Sequence, residues 1–302
     1  MLNSLQNYII NSISTDACCG NAFLSAIISL TYEKISQKSI TLDCPNFLHD
    51  KIKEVIANFY PMLKIDVVGS KLDIYGYGLD VFLQELGIVD FNSSNIAFIN
   101  GCNDNILLGN CCKITYLKTV FLCVGKIYYN ADNLAKTKGY SLEFVFKDYQ
   151  LADDVFALTK FLGIKLKMSK RGNNVVIYSK DSQVLVEFLV IIGASEEAFE
   201  LQNNLVMREI RNDANRKGNC FDANLNKTIN ASSEQVRAID YIIRTFGLEY
   251  LDENLREVAL LRLSNPESTL SELQTLYSVP ITRSGLKYKL DKILGIYKDL
   301  KK

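Results

Sequence analysis

Tryptophan is absent from the 302 residues, histidine occurs once and proline four times. The longest apolar run is the seven residues 188–194, far short of the roughly 18 that span a bilayer. The first basic residue is Lys34, so the start of the chain lacks the cationic leader of a secretory signal. These absences predict a cytoplasmic protein with no membrane segment. The single histidine, His49, lies in the polar stretch Phe47-Leu48-His49-Asp50-Lys51, where it reads as a surface residue; any Ser-His or Cys-His mechanism would depend on it alone. The eight cysteines (18, 19, 44, 102, 111, 112, 123 and 220) include two adjacent pairs but no Cys-x-x-Cys. Because zinc ligands usually sit a few residues apart on one turn, the spacing predicts buried free thiols, no metal site and no cofactor.

Charge is balanced, with 34 Lys+Arg against 34 Asp+Glu, which excludes a uniformly basic coat. Its distribution is uneven. Residues 1–207 carry a net −3 and residues 208–302 a net +3, and eight of the nine arginines fall in the second segment. Arginine's planar fork suits phosphate and guanine, so nucleic-acid contact is sought first in that last third.

The first two hundred residues contain a repeat. Residues 18–33 and 111–126 both open with Cys-Cys and continue as almost wholly apolar segments of helix length. After the first come a strand (39–43), a helix (46–60), a hairpin (63–68 and 72–77, turning at Gly69-Ser70) and a helix (79–86). After the second come a strand (140–146), a helix (150–162), a hairpin (164–168 and 175–179, turning at 171–174) and a helix (182–192). Alternation, three-and-four spacing and turn residues support each assignment. A helix apolar on nearly all sides cannot face solvent, so the two Cys-Cys helices are expected to bury against each other.

This duplicated order resembles the LAGLIDADG homing-endonuclease fold. In that family the paired motif helices each end in a carboxylate, and together these hold divalent metal for phosphodiester cleavage. Here the motif register places Val124 and Thr31 at the carboxylate positions. Neither can act as an anionic metal ligand, so no catalytic residues, no bound metal and no enzyme activity are expected.

Residues 196–210 are helix-forming, and residues 211–228 are crowded with Asn, Arg and Lys. That second stretch reads as an irregular linker or a ligand-facing loop, with Arg208, Arg211, Arg216 and Lys227 as candidate phosphate donors. Helical periodicity resumes over 233–246, 252–263, a short third helix from 268–270, and 283–300 behind a cap at Thr282. A short helix, a turn and a longer helix opening Arg-Ser-Gly-Leu-Lys-Tyr-Lys match helix-turn-helix spacing. Residues 281–302 hold seven Lys+Arg against two Asp, the strongest electrostatic footprint in the chain.

The connector Asn-Arg-Lys-Gly-Asn-Cys-Phe-Asp-Ala-Asn-Leu-Asn-Lys-Thr (215–228), Glu-Val-Ala-Leu-Leu-Arg-Leu-Ser-Asn-Pro-Glu (257–267) and Thr-Arg-Ser-Gly-Leu-Lys-Tyr-Lys-Leu (282–290) together resemble the WhiA family of bacterial sporulation and cell-division regulators. Tyr288 and Lys289 depart from the His and Arg of the family pattern. The resemblance implies an α+β fold: a degenerate, duplicated LAGLIDADG-like αββαββα domain (1–201, repeats about 18–90 and 111–195), a connector (202–230) and an all-α helix-turn-helix domain (231–302). It also implies transcriptional control in cell division and chromosome segregation, with double-stranded DNA as partner, other transcription or division proteins as further partners, and a cytoplasmic, nucleoid-associated location. The expected DNA contacts are Thr282, Arg283, Ser284, Lys287, Tyr288, Lys289 and Lys292, joined by Arg208, Arg211, Arg216 and Lys227. A second surface is expected on the basic hairpin Lys165, Lys167, Lys170 and Arg171. The rival readings are a metal-dependent endonuclease and a scaffold that recruits partner proteins.

Overall fold

A computed structural model describes residues 2–92, 95–99, 101–128 and 139–301. The chain divides into two compact units, Met1–Arg208 and Glu209–Lys302.

In the first unit the elements follow as α1 (Leu2–Asn11), α2 (Ala17–Thr31), β1 (Tyr32–Ile35), β2 (Ser39–Asp43), α3 (His49–Phe59), β3 (Leu63–Val68), β4 (Lys71–Gly76), α4 (Leu79–Glu85), β5 (Val89–Asn92), β6 (Asn95–Phe98), α5 (Asn110–Val124), β7 (Gly125–Tyr128), β8 (Ser141–Phe146), α6 (Tyr149–Phe161), β9 (Lys167–Arg171), β10 (Asn174–Ser179) and α7 (Ser182–Ile191). Two four-stranded antiparallel sheets have the same order, β1-β2-β4-β3 and β7-β8-β10-β9. Each repeat is therefore α-β-β-α-β-β-α. The hairpins turn alike: Gly69-Ser70 and Gly172-Asn173 each put glycine, at φ +66° and +62°, first in a two-residue loop. A side chain there would be strained, and such a turn matches the twist of the flanking strands.

The two apolar helices pair as their composition demands, α2 packing along α5. Phe23, Leu24, Ile27 and Ile28 of α2 and Tyr116, Leu117 and Val120 of α5 are all fully buried. Burying several large side chains from each helix removes apolar area worth about 1.5–3 kcal/mol per residue, which makes the seam the main cohesive element of this unit. Phe121, Phe144 and Phe188 cluster with ring centres 5.2–6.3 Å apart, Phe144 edge-on to the other two.

Several expectations are corrected here. The apolar segments 18–33 and 111–126 are not helical throughout: the motif helices stop at Thr31 and Val124, where the motif register ends them, and Tyr32 and Gly125 turn extended to start β1 and β7, strands that the periodicity did not give. The second hairpin begins at Lys167 rather than 164 and turns over two residues rather than four. His49 is buried, its Nε2 lying 3.3 Å from the carbonyl oxygen of Cys44; it opens α3 with the ring folded onto the preceding turn. The cysteines are not uniformly buried, because Cys18, Cys111 and Cys220 are exposed.

The stretch read as an irregular linker is also corrected. A single helix, α8 (Ser195–Phe246), runs for 52 residues through it. The segment has few apolar groups but no proline and only one glycine, Gly218, so nothing in it stops a helix. Asp213 pairs with Arg216 at 3.6 Å and with Lys217 at 2.8 Å one turn on, and Thr228 Oγ1 donates to the carbonyl oxygen of Asn224 at 3.0 Å. The two ion pairs support exposed helix by a few tenths of a kcal/mol each.

In the second unit α8 is followed by α9 (Glu253–Ser264), α10 (Leu270–Thr275) and α11 (Arg283–Leu300). Ile239 and Ile242 of α8, Leu255, Val258 and Ala259 of α9, Leu273 of α10, and Leu286, Leu290 and Ile293 of α11 form its core. Among the described residues no helix is long and apolar enough to cross a membrane. Lys302, counted in the basic tail, lies outside the described residues.

Candidate nucleic-acid interface

The last two helices and their turn are held by local chemistry. At α10 the Thr269 hydroxyl accepts from Glu272 N at 3.3 Å, and the Glu272 carboxylate accepts from Thr269 N at 2.7 Å, a reciprocal capping box. The turn is pinned to α9 by Ser278 N donating to the Glu257 carboxylate at 3.1 Å, and the Ser278 hydroxyl, together with that amide, draws the carboxyl below its ordinary pKa. At α11 the Thr282 hydroxyl accepts from Gly285 N at 3.1 Å.

Because Leu286, Leu290 and Ile293 take the inward face of α11, the positions between them point outward. Arg283, Ser284, Lys287 and Tyr288 are exposed, Tyr288 by 70%. Among the described residues, neither the Arg283 guanidinium nor the Lys287 ammonium has an ion-pair or hydrogen-bond partner. The other two cations assigned to this surface are committed elsewhere. Lys289 Nζ donates to the Tyr277 hydroxyl at 2.7 Å and lies 4.9 Å from that ring's centre. Lys292 Nζ pairs with the Asp252 carboxylate at 3.0 Å, which holds its ammonium above the ordinary pKa. The structure thus brings Arg283, Ser284, Lys287 and Tyr288 together around the amino end of α11, with Lys289 bonded to Tyr277 and Lys292 paired with Asp252 on the surface.

On α8, Arg211, Arg216 and Lys227 are exposed and Arg208 is half-buried over the Tyr140 ring at 5.9 Å. Arg216 shares Asp213 with Lys217. Arg256 and Arg262 belong to the fold. Arg256 donates to the carbonyls of Leu251 and Glu249 at 2.9 and 3.1 Å. Arg262 is 2% exposed and donates through Nη1 to the carbonyl of Ser268 at 2.6 Å, with Asn265 O and Ser232 Oγ each at 3.4 Å. The signal that could have singled out Arg262 is its place on the apolar face of α9, four residues after Val258.

In the first unit, strand alternation splits the basic hairpin. Lys167 and Arg171 share the solvent face of the second sheet, whereas Lys170 lies on the opposite face with Met168. Lys165 is exposed just before β9, and Arg171 reaches Glu143 at 3.5 Å. The matching face of the first sheet interleaves Asp43, Asp66 and Asp73 with Lys64 and Lys71. There the Tyr75 hydroxyl donates to Asp66 at 3.0 Å, Thr41 Oγ1 donates to Asp73 at 2.5 Å, and Glu33 pairs with Lys71 at 2.7 Å. The two repeats thus present faces of different charge.

At the carboxyl ends of α2 and α5 lies a cleft of about 550 Å³ lined by Thr31, Glu33, Asp43, Val124 and Asp148, among others. Thr31 Oγ1 donates back to Ile27 O at 2.8 Å, and Val124 is an aliphatic packed on the core. The nearby carboxylates have other partners: Lys71 for Glu33, the Ser70 hydroxyl for Asp43 and the Leu151 amide for Asp148. Among the described residues, no group of three or more ligating side chains converges at this end.

A pseudo-symmetric LAGLIDADG-like domain whose helix ends lack carboxylates, and a helix-turn-helix unit with a basic amino end on its last helix, define the class of protein. Residues 113–211 match the model of the WhiA LAGLIDADG-like domain and residues 214–297 that of the WhiA C-terminal HTH domain. The chain is 37% identical over 219 residues to the probable cell division protein WhiA of Thermoanaerobacter sp. (strain X514), covering 72% of this chain and 67% of that one. It is 36% identical over 224 residues to that of Clostridium botulinum (strain Hall), covering 74% and 69%, and 41% identical over 189 residues to that of Clostridium perfringens (strain SM101), covering 63% and 58%. The fold is similar to that of full-length WhiA from Thermatoga maritima, with a TM-score of 0.56, 19% identity and coverage of 98% and 97%. The chain belongs to the WhiA family.

Proposed function

We propose that the chain is a DNA-binding regulator acting in bacterial cell division and chromosome segregation, at the nucleoid and in the cytoplasm, without nuclease activity. The observation that carries this reading is the unneutralised Arg283 and Lys287, flanked by Ser284 and Tyr288, at the capped amino end of a helix anchored by its opposite face. Helix amides and a rigid guanidinium attract phosphate, and the hydroxyl and phenol can reach base edges in a major groove. Thr282 sets the angle at which this end is presented. Lys289 and Lys292 contribute through the domain's integrity and its general field. Arg211, Arg216 and Lys227, exposed on α8, and the half-buried Arg208 add secondary phosphate-attracting groups. Lys165, Lys167 and Arg171 offer a second surface, with Lys170 on the other face of its strand.

Thr31 and Val124 supply no anionic ligand for the magnesium that two-metal cleavage requires. The mixed charge of the first sheet face suits a protein partner, such as another transcription or division protein, better than a phosphate backbone. The test is anisotropy titration of the full chain against duplexes enriched from its own genome, followed by incubation of supercoiled plasmid with magnesium. Saturable duplex binding without nicking is expected. Nicking that survives further purification, or absence of duplex binding at low salt, would overturn the reading.

A further inference from the structure

The two Cys-Cys pairs that open the paired helices meet at the end of the seam opposite the cleft. Cys18 and Cys19 occupy the second and third positions of α2, and Cys111 and Cys112 the same positions of α5. All four sulfur atoms lie within 4.8 Å of one another, with Sγ to Sγ 4.0 Å in the first pair and 3.8 Å in the second. A tetrahedral zinc with Zn–S bonds of about 2.3 Å requires sulfurs about 3.8 Å apart, so these thiols already approximate the edges of that tetrahedron. An iron–sulfur cluster needs wider spacing than the four sulfurs show.

We propose that Cys18, Cys19, Cys111 and Cys112 bind one zinc ion that joins the two repeats across the seam. Binding replaces four thiol protons: the ion enters as Zn²⁺, four S–H bonds break, four Zn–S bonds form and four protons leave to solvent. Cys19 and Cys112 are buried and fix two corners, while Cys18 and Cys111 are exposed and leave a route for the metal. A tetrathiolate site carries net negative charge, and its surroundings favour that. Both sulfur pairs sit in the first turn of a helix, where the amide dipoles are positive. Neither helix has a side-chain cap: Gly109 has no side chain, and the Asp16 carboxylate accepts instead from Ser14. The Lys118 ammonium, further along α5, is buried and donates to the Ser12 hydroxyl at 2.9 Å. The absence of Cys-x-x-Cys in the sequence is no obstacle, because the paired ligands come from two helices rather than one turn.

The test uses the full chain, stripped under reducing conditions, reloaded with zinc and passed through a desalting column, with metal measured by mass spectrometry. About one zinc per chain is expected, with cobalt substitution giving the thiolate charge-transfer and tetrahedral d–d bands, and thermal unfolding raised by roughly 5–10 °C over the stripped chain. The double variant Cys18→Ser with Cys111→Ser alters only exposed positions, and its fold is checked by circular dichroism; it should lose the zinc and the cobalt bands. Cys220→Ser, at an exposed cysteine of the second unit, should keep both. Failure of the stripped chain to retain zinc, retention by the double variant, or a disulfide between the pairs in protein purified with reductant would overturn the proposal.

Discussion

Arg262 Nη1 donates to the carbonyl oxygen of Ser268 at 2.6 Å from a side chain that is 2% exposed, and no carboxylate neutralises it among the described residues. Burial alone lowers its pKa from the ordinary value. The carbonyls of the Asn265–Ser268 turn and the Ser232 hydroxyl take the place of a counter-ion, so one guanidinium ties α8, α9 and the entry to α10.

Replacing Arg262 with Ala removes the donor to three oxygens at once. The second unit should lose about 2–4 kcal/mol, since hydrogen bonds to charged groups are worth about 1.5–3 kcal/mol and buried acceptors are left unpaired. Arg262→Lys should recover only part of this, because a compact, strongly hydrated ammonium is costlier to bury than a guanidinium. Urea unfolding followed by circular dichroism gives the measurement, and a loss below 1 kcal/mol would show that the turn is held by other contacts.

The cations of α11 should separate in their salt dependence. For Arg283→Ala with Lys287→Ala, the slope of log affinity against log salt should flatten by about 1.8, one phosphate contact each. For Lys289→Ala it should change by less than about 0.5, with a fall in stability instead, because that ammonium is already bonded to Tyr277. Equal slopes for the two variants would remove this division of roles.

Gly125 ends α5 where no side chain fits. A methyl group there would lie 2.4 Å from Phe121 Cδ2 and 2.6 Å from the Phe121 carbonyl oxygen. Gly125→Ala should therefore destabilise the first unit by about 1–3 kcal/mol through overpacking. Gly139→Ala, where an added methyl meets nothing within 4 Å, is the control. Thermal melts of the two variants distinguish a steric origin from a general loss of chain flexibility.

Alkali should weaken the first unit before it affects the second. Burial raises the Cys44 and Cys102 thiols from 9.0 to about 12. A raised pKa in the folded state means that their contribution is complete below pH 9 and is lost as pH climbs towards 12, by at most about 1.4 kcal/mol per pH unit for each thiol. Cys44→Ala should flatten the fall in unfolding free energy between pH 9 and 11. An unchanged pH profile in that variant would mean that Cys44 ionises freely in the folded chain.

Much of this was legible in the residues. The repeat was visible because both copies carry the same succession of periods: all-round apolar helix, alternating strand, three-and-four helix, glycine-turned hairpin. The last helix began where Thr282 offered a cap and ended near Leu300. The helix over 211–228 is not legible in the residues, because low apolar content is common to linkers, loops and exposed helix alike, and the absence of proline leaves the helix free to continue. Arg262 and Lys289 were hidden among exposed cations of the same type, since their distinction is one of burial and partner rather than of residue type.

Local order came from the sequence by itself: which segments are helix or strand, which faces turn inward, that Thr31 and Val124 end their helices without a carboxylate, and that positive charge gathers on α11. Such properties depend on neighbours a few residues apart, whose spacing is set by backbone geometry. Only the tertiary structure decided which cations of α11 find partners within the domain, that His49 folds inward, and that cysteines at two distant positions in the sequence share one point. Those outcomes depend on how two helices lie side by side, and the seam that aligns α2 with α5 is made by packing, which brings together residues that no local spacing relates.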